Sequence, residues 1–417
     1  MNYNEVIDLI ESVNYGHNED SSNFERVLKM LDINIDENKI IQIAGTNGKG
    51  SVGTFLSSLL KDQGYKVGHF SSPHLEKYEE RIKINLQPIS QKILIDNVEE
   101  ILSEVSIESL KTLTYFEMSF LLTLKVFSGE NLDFYIIETG IGGRFDITNL
   151  FRSNLLSIIT TVDYDHQQLL GKSLPEIAYH KAGIIKENGK VVSFKHQEDV
   201  DRVILEEANN KTAELEFLFD RDYNIRNVDI GGSIFFYKGI EFKTKVIGIY
   251  QIKNISLALL ALEKILDKID LSNVKKSILN FKFEGRMEII HSNPLIILDG
   301  AHNAEGISAL SKNVETLGID DYYLVLGSMK DKSIVEGLDI LAKKAKCIIL
   351  TKIDYERAIE PEVLEKKLLG FNDKILIKKS VKDASNYLLS DLSEKETVLI
   401  AGSLYLIGEF KKYLKDE

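Results

Sequence analysis

Apolar residues in the first part of the chain follow two different spacings. Over residues 5–13 and 24–31 they have helical spacing, which predicts two helices with one buried face each. The mainly apolar run Ile40–Ile43 instead predicts a buried strand. A glycine-rich stretch follows this strand, and the pattern resumes as a helix over residues 52–60. The order of strand, glycine-rich turn and helix is typical of an α/β protein.

The alternation of strands and helices continues toward the end of the chain. The other apolar runs that predict buried strands are 132–137, 155–162, 294–299, 323–327, 347–351, 374–378 and 397–401. Short alternating stretches over 213–250 predict a small antiparallel insertion. We therefore predict an α/β fold, in which a P-loop-type parallel-sheet domain over residues 1–284 is followed by a smaller Rossmann-like α/β domain over residues 285–417.

Composition narrows the classes of function. With 417 residues, of which 44% are hydrophobic and 28% charged, the chain can bury a full core and is long enough for two domains. Its formal net charge of −13 and pI of about 5.3 argue against a nucleic-acid partner held on a basic surface. The single cysteine, Cys347, excludes an intrachain disulfide and a cysteine-based zinc site. No signal peptide or membrane-spanning run is evident, so we expect a cytoplasmic protein without a membrane partner.

The glycine-rich stretch reads Gly-Thr-Asn-Gly-Lys-Gly-Ser over residues 45–51 and is a candidate phosphate cradle. Glycines allow successive backbone N–H groups to face one anion, the following helix presents its positive N-terminus, and Lys49 can neutralise the outer phosphates. The usual P-loop has a glycine and a hydroxyl residue where this chain has Ile43 and Gly50. An ordinary tight turn is the alternative interpretation of this stretch taken alone.

Polar residues follow several of the predicted strands. Ser72 comes after a short strand over 66–70, Glu138 after the strand over 132–137, and His166 shortly after the strand over 155–162. Lys181 lies in a helix that Pro175 opens. Hard oxygen ligands at the carboxyl ends of parallel strands suit Mg²⁺ shared with substrate phosphates. His166 can instead be a satisfied polar residue, and Lys181 a solvated or snorkelling side chain.

A further candidate segment is Thr114-Tyr115-Phe116-Glu117, which begins a predicted helix. Thr114 is a favourable N-cap residue and Glu117 stands three positions later, which is the spacing of a capping box. Capping alone could account for Glu117, so the segment by itself does not decide between a structural and a functional role.

Taken together, the sequence closely resembles the folylpolyglutamate synthase/dihydrofolate synthase family of the Mur ligase superfamily. The shortened glycine-lysine cradle is the form found in that superfamily. The blocks that carry the resemblance are 44–51, 71–75 with 80–82, 113–117, 138–149, 165–166 with 170–171, 181–186, 284–286, 299–303 and 402–405. They span most of the chain in order.

The resemblance implies roles for individual residues. The positions implied to bind ATP are Thr46, Asn47, Gly48, Lys49, Gly50, Ser51, Asn254, Arg286 and Asp299. Those implied to hold two Mg²⁺ ions are Ser72, Glu138, His166 and Lys181, the last as an N-carboxylated lysine. The implied substrate positions are Thr114, Tyr115, Phe116, Glu117, Phe145, Asp146 and Ile147. The catalytic set is Lys49, Lys181, His166 and His302, although a capping or packing role is an alternative for His302.

The implied reaction is ATP-dependent amide formation. A folate or pteroate carboxylate would attack the γ-phosphate of ATP, and L-glutamate would then displace phosphate from the acyl phosphate. Domain closure would align the reactants and exclude water. The chain departs from the family pattern at His180, where glutamate is usual, and at Tyr250, where histidine is usual. We expect a monomer.

Two other functions remain alternatives at this point. A Mur-type ligase of cell-wall peptide synthesis would use the same chemistry on a nucleotide-linked substrate. A non-catalytic nucleotide-binding protein would be expected to have lost Lys49, Glu138, His166 or Lys181, and all four are present.

Overall fold

The structure is a computed structural model that describes residues 1–16, 20–330, 337–355 and 357–414. The helices in these residues are α1 (Tyr3–Glu11), α2 (Ser22–Met30), α3 (Lys49–Asp62), α4 (Gln91–Glu104), α5 (Ile107–Leu110), α6 (Tyr115–Ser128), α7 (Gln167–Leu170), α8 (Leu174–Ala182), α9 (Glu198–Asn210), α10 (Ile249–Ile265), α11 (Leu271–Asn280), α12 (Ala304–Thr316), α13 (Leu338–Lys344), α14 (Pro361–Leu368), α15 (Val381–Ser390) and α16 (Leu404–Leu414).

The strands are β1 (Ile40–Ala44), β2 (Val67–Phe70), β3 (Ile82–Ile84), β4 (Gln87–Pro88), β5 (Phe134–Glu138), β6 (Leu156–Ile159), β7 (Lys190–Phe194), β8 (Glu214–Leu218), β9 (Tyr223–Asp229), β10 (Gly232–Tyr237), β11 (Ile240–Thr244), β12 (Glu288–Ser292), β13 (Leu295–Asp299), β14 (Tyr322–Leu326), β15 (Ala345–Thr351), β16 (Ile375–Lys378) and β17 (Thr397–Ala401). Short 3-10 turns are Glu37–Lys39, Tyr78–Arg81, Ile147–Asn149 and Asp220–Asp222.

The first of two compact units is built on an eight-stranded sheet. It comprises Met1–Ser72, Tyr78–Asp222 and Asn254–Ile278. The strand order is β4-β3-β2-β5-β1-β6-β7-β8. The strands that run parallel to one another are β2, β5, β1, β6, β7 and β8. Because parallel strands end at the same edge, the residues that follow β2, β5, β1 and β6 come together there.

Burial explains why the central strands of this sheet are largely apolar. Every residue of β1, β2 and β6 is buried, as expected for parallel strands that helices cover on both faces. One core cluster gathers aromatic side chains, and Phe120 packs on Phe24 and Phe70 with ring centroids 5.9 and 5.5 Å apart. A second cluster contains the buried faces of α8 and α9. These helices fix the positions of the loops at the sheet edge.

The second compact unit comprises Pro73–Lys77, Tyr223–Lys253 and Leu279–Glu417. It contains a three-stranded antiparallel sheet in the order β11-β10-β9. Its larger sheet has the order β12-β13-β17-β14-β15-β16, in which β12 alone is antiparallel to its neighbour among the paired strands. Because segments from three parts of the sequence form this unit, the predicted boundary after residue 284 stays a prediction.

The predicted α/β class and strand alternation are confirmed. The antiparallel segment predicted over 213–250 is present only in part, as β9–β11, because Glu214–Leu218 instead forms β8, a parallel strand of the eight-stranded sheet. The predicted strands of the later domain are present as β13–β17. The helix predicted over 52–60 begins earlier, at Lys49, and β6 is shorter than the predicted strand over 155–162. Among the described residues, no helix is both long and apolar enough to cross a membrane.

Candidate active site

The glycine-rich turn after β1 leads directly into the first turn of α3. The N-cap residue Gly48 has a φ of 87°, a left-handed conformation that favours glycine. A Cβ at this position would lie 2.8 Å from Asn254 Oδ1, so the close approach of Asn254 also requires glycine. The first N–H groups of α3 have no carbonyl partner within the helix, and the helix dipole is positive at this end. The turn therefore has the backbone shape of an anion site.

The segment after β6 holds this turn in place. Thr46 N–H donates to Thr161 O at 2.7 Å, and Asn47 N–H donates to Thr161 Oγ1 at 3.0 Å. Thr160 Oγ1 donates to Asn47 O at 2.6 Å, and Thr46 Oγ1 donates to Asp163 O at 3.0 Å. The N–H groups of Thr46 and Asn47 thus shape the turn, whereas those at the start of α3 point out of its N-terminal end.

The side chain of Lys49 reaches back over the turn. Its ammonium group donates to Gly45 O at 2.7 Å. Ser51, two residues further into α3, is buried with 4% of its surface exposed. The structure therefore places a lysine ammonium at the predicted cradle, as the sequence motif requires.

Glu138 ends β5 beside the first turn of α3. A Cβ built on Gly50 would lie 3.5 Å from Glu138 Oε1, so the carboxylate lies close to the N-terminal end of that helix. The residue is 1% exposed, and Oε1 is 2.9 Å from Nε2 of His69 in β2. His69 is a neighbour that the sequence analysis missed. The signal was present, because a histidine interrupts the otherwise apolar run of β2.

Strand register places the other predicted metal positions at this edge. Phe70 of β2 pairs with Ile137 of β5, so Ser71 is level with Glu138 and Ser72 follows one residue later at the end of the adjacent strand. His166 follows β6 as the N-cap of α7, with a φ of 48° and 36% of its side chain exposed. Its Nε2 lies 3.8 Å from Asp165 Oδ1.

Lys181 lies in the last turn of α8 and is 2% exposed. The loop after Glu138 packs on this end of the helix. Arg144 N–H donates to His180 O at 2.7 Å, and a Cβ on Gly143 would lie 3.2 Å from Lys181 O. The structure thus brings the backbone at Lys181 against the loop that follows Glu138.

The donor set at the sheet edge fits a hard divalent cation. Glu138 is a buried carboxylate, and among the described residues no lysine or arginine forms an ion pair with it. Burying such a charge is costly unless a cation or hydrogen-bond donors compensate it. Carboxylate and hydroxyl oxygens beside a phosphate cradle are the ligands that Mg²⁺ uses. Within the described residues, no group of three or more His, Cys, Asp and Glu side chains forms a metal cluster, so the full predicted set stays a prediction.

The predicted capping box at Thr114 is confirmed. Thr114 Oγ1 accepts from Glu117 N at 3.2 Å, and Glu117 Oε2 accepts from Thr114 N at 2.7 Å. Tyr115 stacks on Tyr15 at 4.7 Å, and the Arg81 guanidinium lies 5.0 Å from its ring centroid. Capping therefore accounts for the position of the Glu117 side chain, while the aromatic ring of Tyr115 has a cationic and an aromatic neighbour.

The loop over residues 140–147 adjoins this helix start. A Cβ on Gly140 would lie 2.8 Å from the Phe116 ring, so the start of this loop packs closely on Phe116. Ile147 and Phe116 both pack at the margin of the same core cluster. Phe145 is 56% exposed, and its ring centroid lies 5.6 Å from that of His180. His180, which replaces the usual glutamate, therefore packs against an exposed aromatic side chain.

Asp146 has a structural role that its sequence position did not show. Its Oδ2 accepts from Gly140 N and Ile141 N, each at 2.9 Å. Its Oδ1 accepts from Thr148 N at 3.0 Å and from Thr148 Oγ1 at 2.6 Å. Burial raises the pKa of the Asp146 carboxyl, and these four hydrogen bonds oppose the shift. The carboxylate therefore shapes the loop after Glu138.

The second unit contains the remaining predicted positions. Asp299 at the end of β13 is 2% exposed and accepts from Tyr250 Oη at 2.5 Å and from Ala301 N at 2.9 Å. Burial raises the pKa of Asp299, and the nearby Arg286 guanidinium opposes this shift. His302 Nδ1 forms a hydrogen bond with the carbonyl oxygen of Gly300 at 2.8 Å. The neighbouring Asn303 is the N-cap residue of α12. The capping role considered for His302 is wrong, because the neighbouring asparagine fills it.

Family models and relatives extend this description. The Mur ligase middle domain matches residues 43–262, and the Mur ligase glutamate ligase domain matches residues 285–404. A protein of Bacillus subtilis (strain 168) named dihydrofolate synthase/folylpolyglutamate synthase is 32% identical over 397 residues, which cover 90% of each chain. The chain belongs to the dihydrofolate synthase/folylpolyglutamate synthase family of Mur ligases. The resemblance inferred from the sequence motifs is therefore confirmed.

Solved structures of family members share the fold. The folylpolyglutamate synthase of Mycobacterium tuberculosis, solved with ADP and AMPPCP, has a TM-score of 0.88 and 25% identity, and the alignment covers 99% of this chain and 98% of that one. E. coli FolC, solved with DHPP and ADP, has a TM-score of 0.85 and 25% identity, with 99% and 97% of the two chains covered. The predicted fold and the enzyme class, a ligase, are confirmed.

Proposed function

We propose that this ligase adds L-glutamate to folates and also to dihydropteroate, using ATP and an acyl-phosphate intermediate. The names of its relatives and the nucleotides bound in the solved structures support this proposal. The main supporting observation is that the buried carboxylate of Glu138 lies beside the first turn of α3, next to the glycine-rich cradle. That arrangement suits transfer of a phosphoryl group.

In the first step, a carboxylate oxygen of the folate or pteroate substrate attacks the γ-phosphorus of ATP. A bond forms between that oxygen and the γ-phosphorus, which gives the acyl phosphate, and the bond between the γ-phosphorus and the bridging oxygen breaks, so that ADP leaves. The Lys49 ammonium and the N–H groups at the start of α3 offset the charge on the transferring group, because fixed donors need no reorganisation during the reaction. Thr46 and Asn47 keep the turn in shape through their bonds to Thr161.

In the second step, the amine of L-glutamate attacks the acyl carbon. The amide bond forms, phosphate leaves with the electron pair of the broken carbon–oxygen bond, and the amine loses a proton. We propose that Arg286 and Asp299 contact ATP, and that His302 participates in the reaction. Its ring orientation is fixed by the hydrogen bond with Gly300 O.

Ser72, Glu138 and His166 are the residues we propose to hold Mg²⁺, together with Lys181 in N-carboxylated form. Bound Mg²⁺ would supply positive charge next to the phosphates of ATP. Lys181 is 2% exposed, and its carboxylation is proposed on the strength of the family resemblance. The predicted substrate segments 114–117 and 145–147 are proposed to line the pterin side.

Neither alternative function is favoured by a specific observation. The relatives described above are enzymes of folate metabolism, which gives no support to a cell-wall peptide ligase. Lys49, Glu138, His166 and Lys181 are all retained, which argues against a non-catalytic protein. The proposed partners are thus small molecules, and the monomeric state and cytoplasmic location stay predictions.

The test is phosphate release by the purified protein with ATP, Mg²⁺ and L-glutamate. Dihydropteroate and a reduced folate monoglutamate are supplied in parallel reactions, and reactions without L-glutamate serve as controls. Glutamate-dependent release with both substrates is expected. Release with the folate alone would restrict the enzyme to chain extension, and absence of release with both would contradict the proposal.

A further inference from the structure

His69 is a buried histidine beside the proposed metal ligand Glu138, and none of the roles described above involves it. The residue has no solvent-exposed surface, and its Nε2 lies 2.9 Å from Glu138 Oε1. Its Nδ1 is buried and has no hydrogen-bond partner among the described residues. A hydrogen on Nδ1 would be a buried donor without an acceptor, which is costly. We therefore assign the hydrogen to Nε2, which donates it to the carboxylate.

The packing around the ring leaves it little freedom. His69 pairs with Ile136 of β5, and Glu138 lies two residues further on the same face of the sheet. On the other side, a Cβ built on Gly53 of α3 would lie 2.6 Å from His69 Nε2 and 3.0 Å from Cε1. The imidazole therefore fills the space that a glycine leaves between α3 and the sheet.

The surroundings also show why the hydrogen bond matters to Glu138. Among the described residues, His69 supplies the sole hydrogen bond to this carboxylate. Ile43 of β1, which pairs with Glu138, is fully buried and adds no polar group. Without His69, no donor among the described residues would fix the rotation of the Glu138 carboxylate.

We propose that His69 is a positioning residue for Glu138: it holds one carboxylate oxygen so that the other is presented to Mg²⁺ beside the phosphate cradle. This inference rests on the magnesium site of the proposed function. Partners of metal ligands orient those ligands, and their loss typically reduces metal affinity or activity by about 10- to 100-fold.

The test measures how much Mg²⁺ strengthens ADP binding, by calorimetric titration of the full chain with saturating Mg²⁺ or with EDTA. His69→Leu removes the donor. His69→Gln keeps it, because the glutamine amide nitrogen can occupy the position of Nε2. We expect His69→Leu to reduce the Mg²⁺-dependent gain by about 10-fold or more, and His69→Gln to change it by less than about threefold.

Two further variants separate positioning from general damage. Gly53→Ala displaces the ring but retains the imidazole, so it should reduce the Mg²⁺-dependent gain as His69→Leu does. Alanine is also the better helix former, so the substitution does not weaken the helix propensity of α3. His291→Leu, a histidine change in β12 of the second unit, is the matched control and should leave the gain unchanged. ADP affinity in EDTA should stay close to the parental value in all four variants.

A folded His69→Leu protein with the parental Mg²⁺-dependent gain would overturn the inference, and so would equal losses in His69→Leu and His69→Gln. If His69→Leu does not fold, an unchanged gain in Gly53→Ala overturns it instead. If the parent protein binds ADP equally well with Mg²⁺ and with EDTA, both the inference and the proposed metal site are overturned. Parental glutamate-dependent phosphate release together with an unaffected His69→Leu variant overturns the inference alone.

Discussion

Replacing Asp146 tests whether its carboxylate shapes the loop after Glu138. In the parent, this carboxylate accepts three backbone N–H groups and one hydroxyl. In Asp146→Asn, the carboxamide oxygen can retain Gly140 N and Ile141 N, and the amide nitrogen can donate to Thr148 Oγ1 once that hydroxyl rotates. The N–H of Thr148 then loses its acceptor in a buried site. Leaving one such donor unpaired costs about 1–3 kcal/mol.

Asp146→Ala removes every acceptor at once. Three backbone N–H groups lose their partner, so we expect the loss of stability to be at least about 3 kcal/mol and larger than for Asp146→Asn. Asp36→Asn is the matched control, because Asp36 is an N-cap and asparagine caps equally well. That variant should stay within about 0.5 kcal/mol of the parent.

The assay is urea unfolding followed by far-UV circular dichroism, because the chain has no tryptophan to report unfolding by fluorescence. The free energy of unfolding is compared for the transition of the unit that contains Asp146. Parental stability in both variants, or a smaller loss for alanine than for asparagine, would refute the reasoning. A raised KM for the folate substrate at parental stability would return Asp146 to the substrate-binding role inferred from the family resemblance.

Three other predictions follow from the same structure. Gly48→Ala should weaken ADP binding, measured by calorimetry, by at least about tenfold, which is a loss of about 1.4 kcal/mol of binding free energy, because a Cβ there meets Asn254. The control is Gly64→Ala, since Gly64 also has a positive φ, 97°, but has open space around it; this variant should bind ADP as the parent does. Burial lowers the pKa of Lys186 to about 8 from 10.5, so the folded state binds fewer protons than the unfolded state between these two pH values. The free energy of unfolding of the parent should therefore rise over that pH range relative to that of Lys186→Met. Parallel plots of unfolding free energy against pH for the two proteins would contradict this. Lys181→Ala should abolish turnover and regain part of it with added short carboxylic acids, whereas full activity without them would remove Lys181 from the mechanism.

Much of the fold could be predicted from the sequence because the positions of apolar residues indicate which parts of each strand and helix are buried. Parallel strands covered on both faces need near-continuous apolar runs, and β1, β5, β13 and β17 all have them. The short strands β3, β4 and β12, which lie at or next to a sheet edge, were missed. Their pairing depends on a neighbouring strand rather than on a long apolar run of their own.

The candidate site was predictable in part for a related reason. Glycine and lysine spacing identified the cradle, and strand ends identified Glu138. The contacts of individual polar groups were not predictable, because they depend on residues distant in sequence. His69 lies 69 positions from Glu138, and no local pattern joins them. Similarly, the sequence motif containing Asp146 does not show that its oxygens are already occupied by the loop.

The short contact between Tyr250 and Asp299 illustrates the same limit. Sequence comparison marked Tyr250 as a departure from the usual histidine, without showing what the tyrosine does. In the structure its hydroxyl donates to Asp299 at 2.5 Å. Burial raises the pKa of Tyr250 well above its ordinary value, and the negative charge of Asp299 raises it further. The substitution therefore keeps a polar partner for the buried Asp299.

Transfer of a carboxylate oxygen to phosphate tests the proposed reaction most directly. Dihydropteroate labelled with ¹⁸O in its carboxylate is incubated with the enzyme, ATP, Mg²⁺ and L-glutamate, and the released phosphate is analysed by mass spectrometry. Attack of that carboxylate on the γ-phosphorus predicts one ¹⁸O atom in each phosphate formed with the amide product. Amide product accompanied by unlabelled phosphate would contradict an acyl-phosphate mechanism.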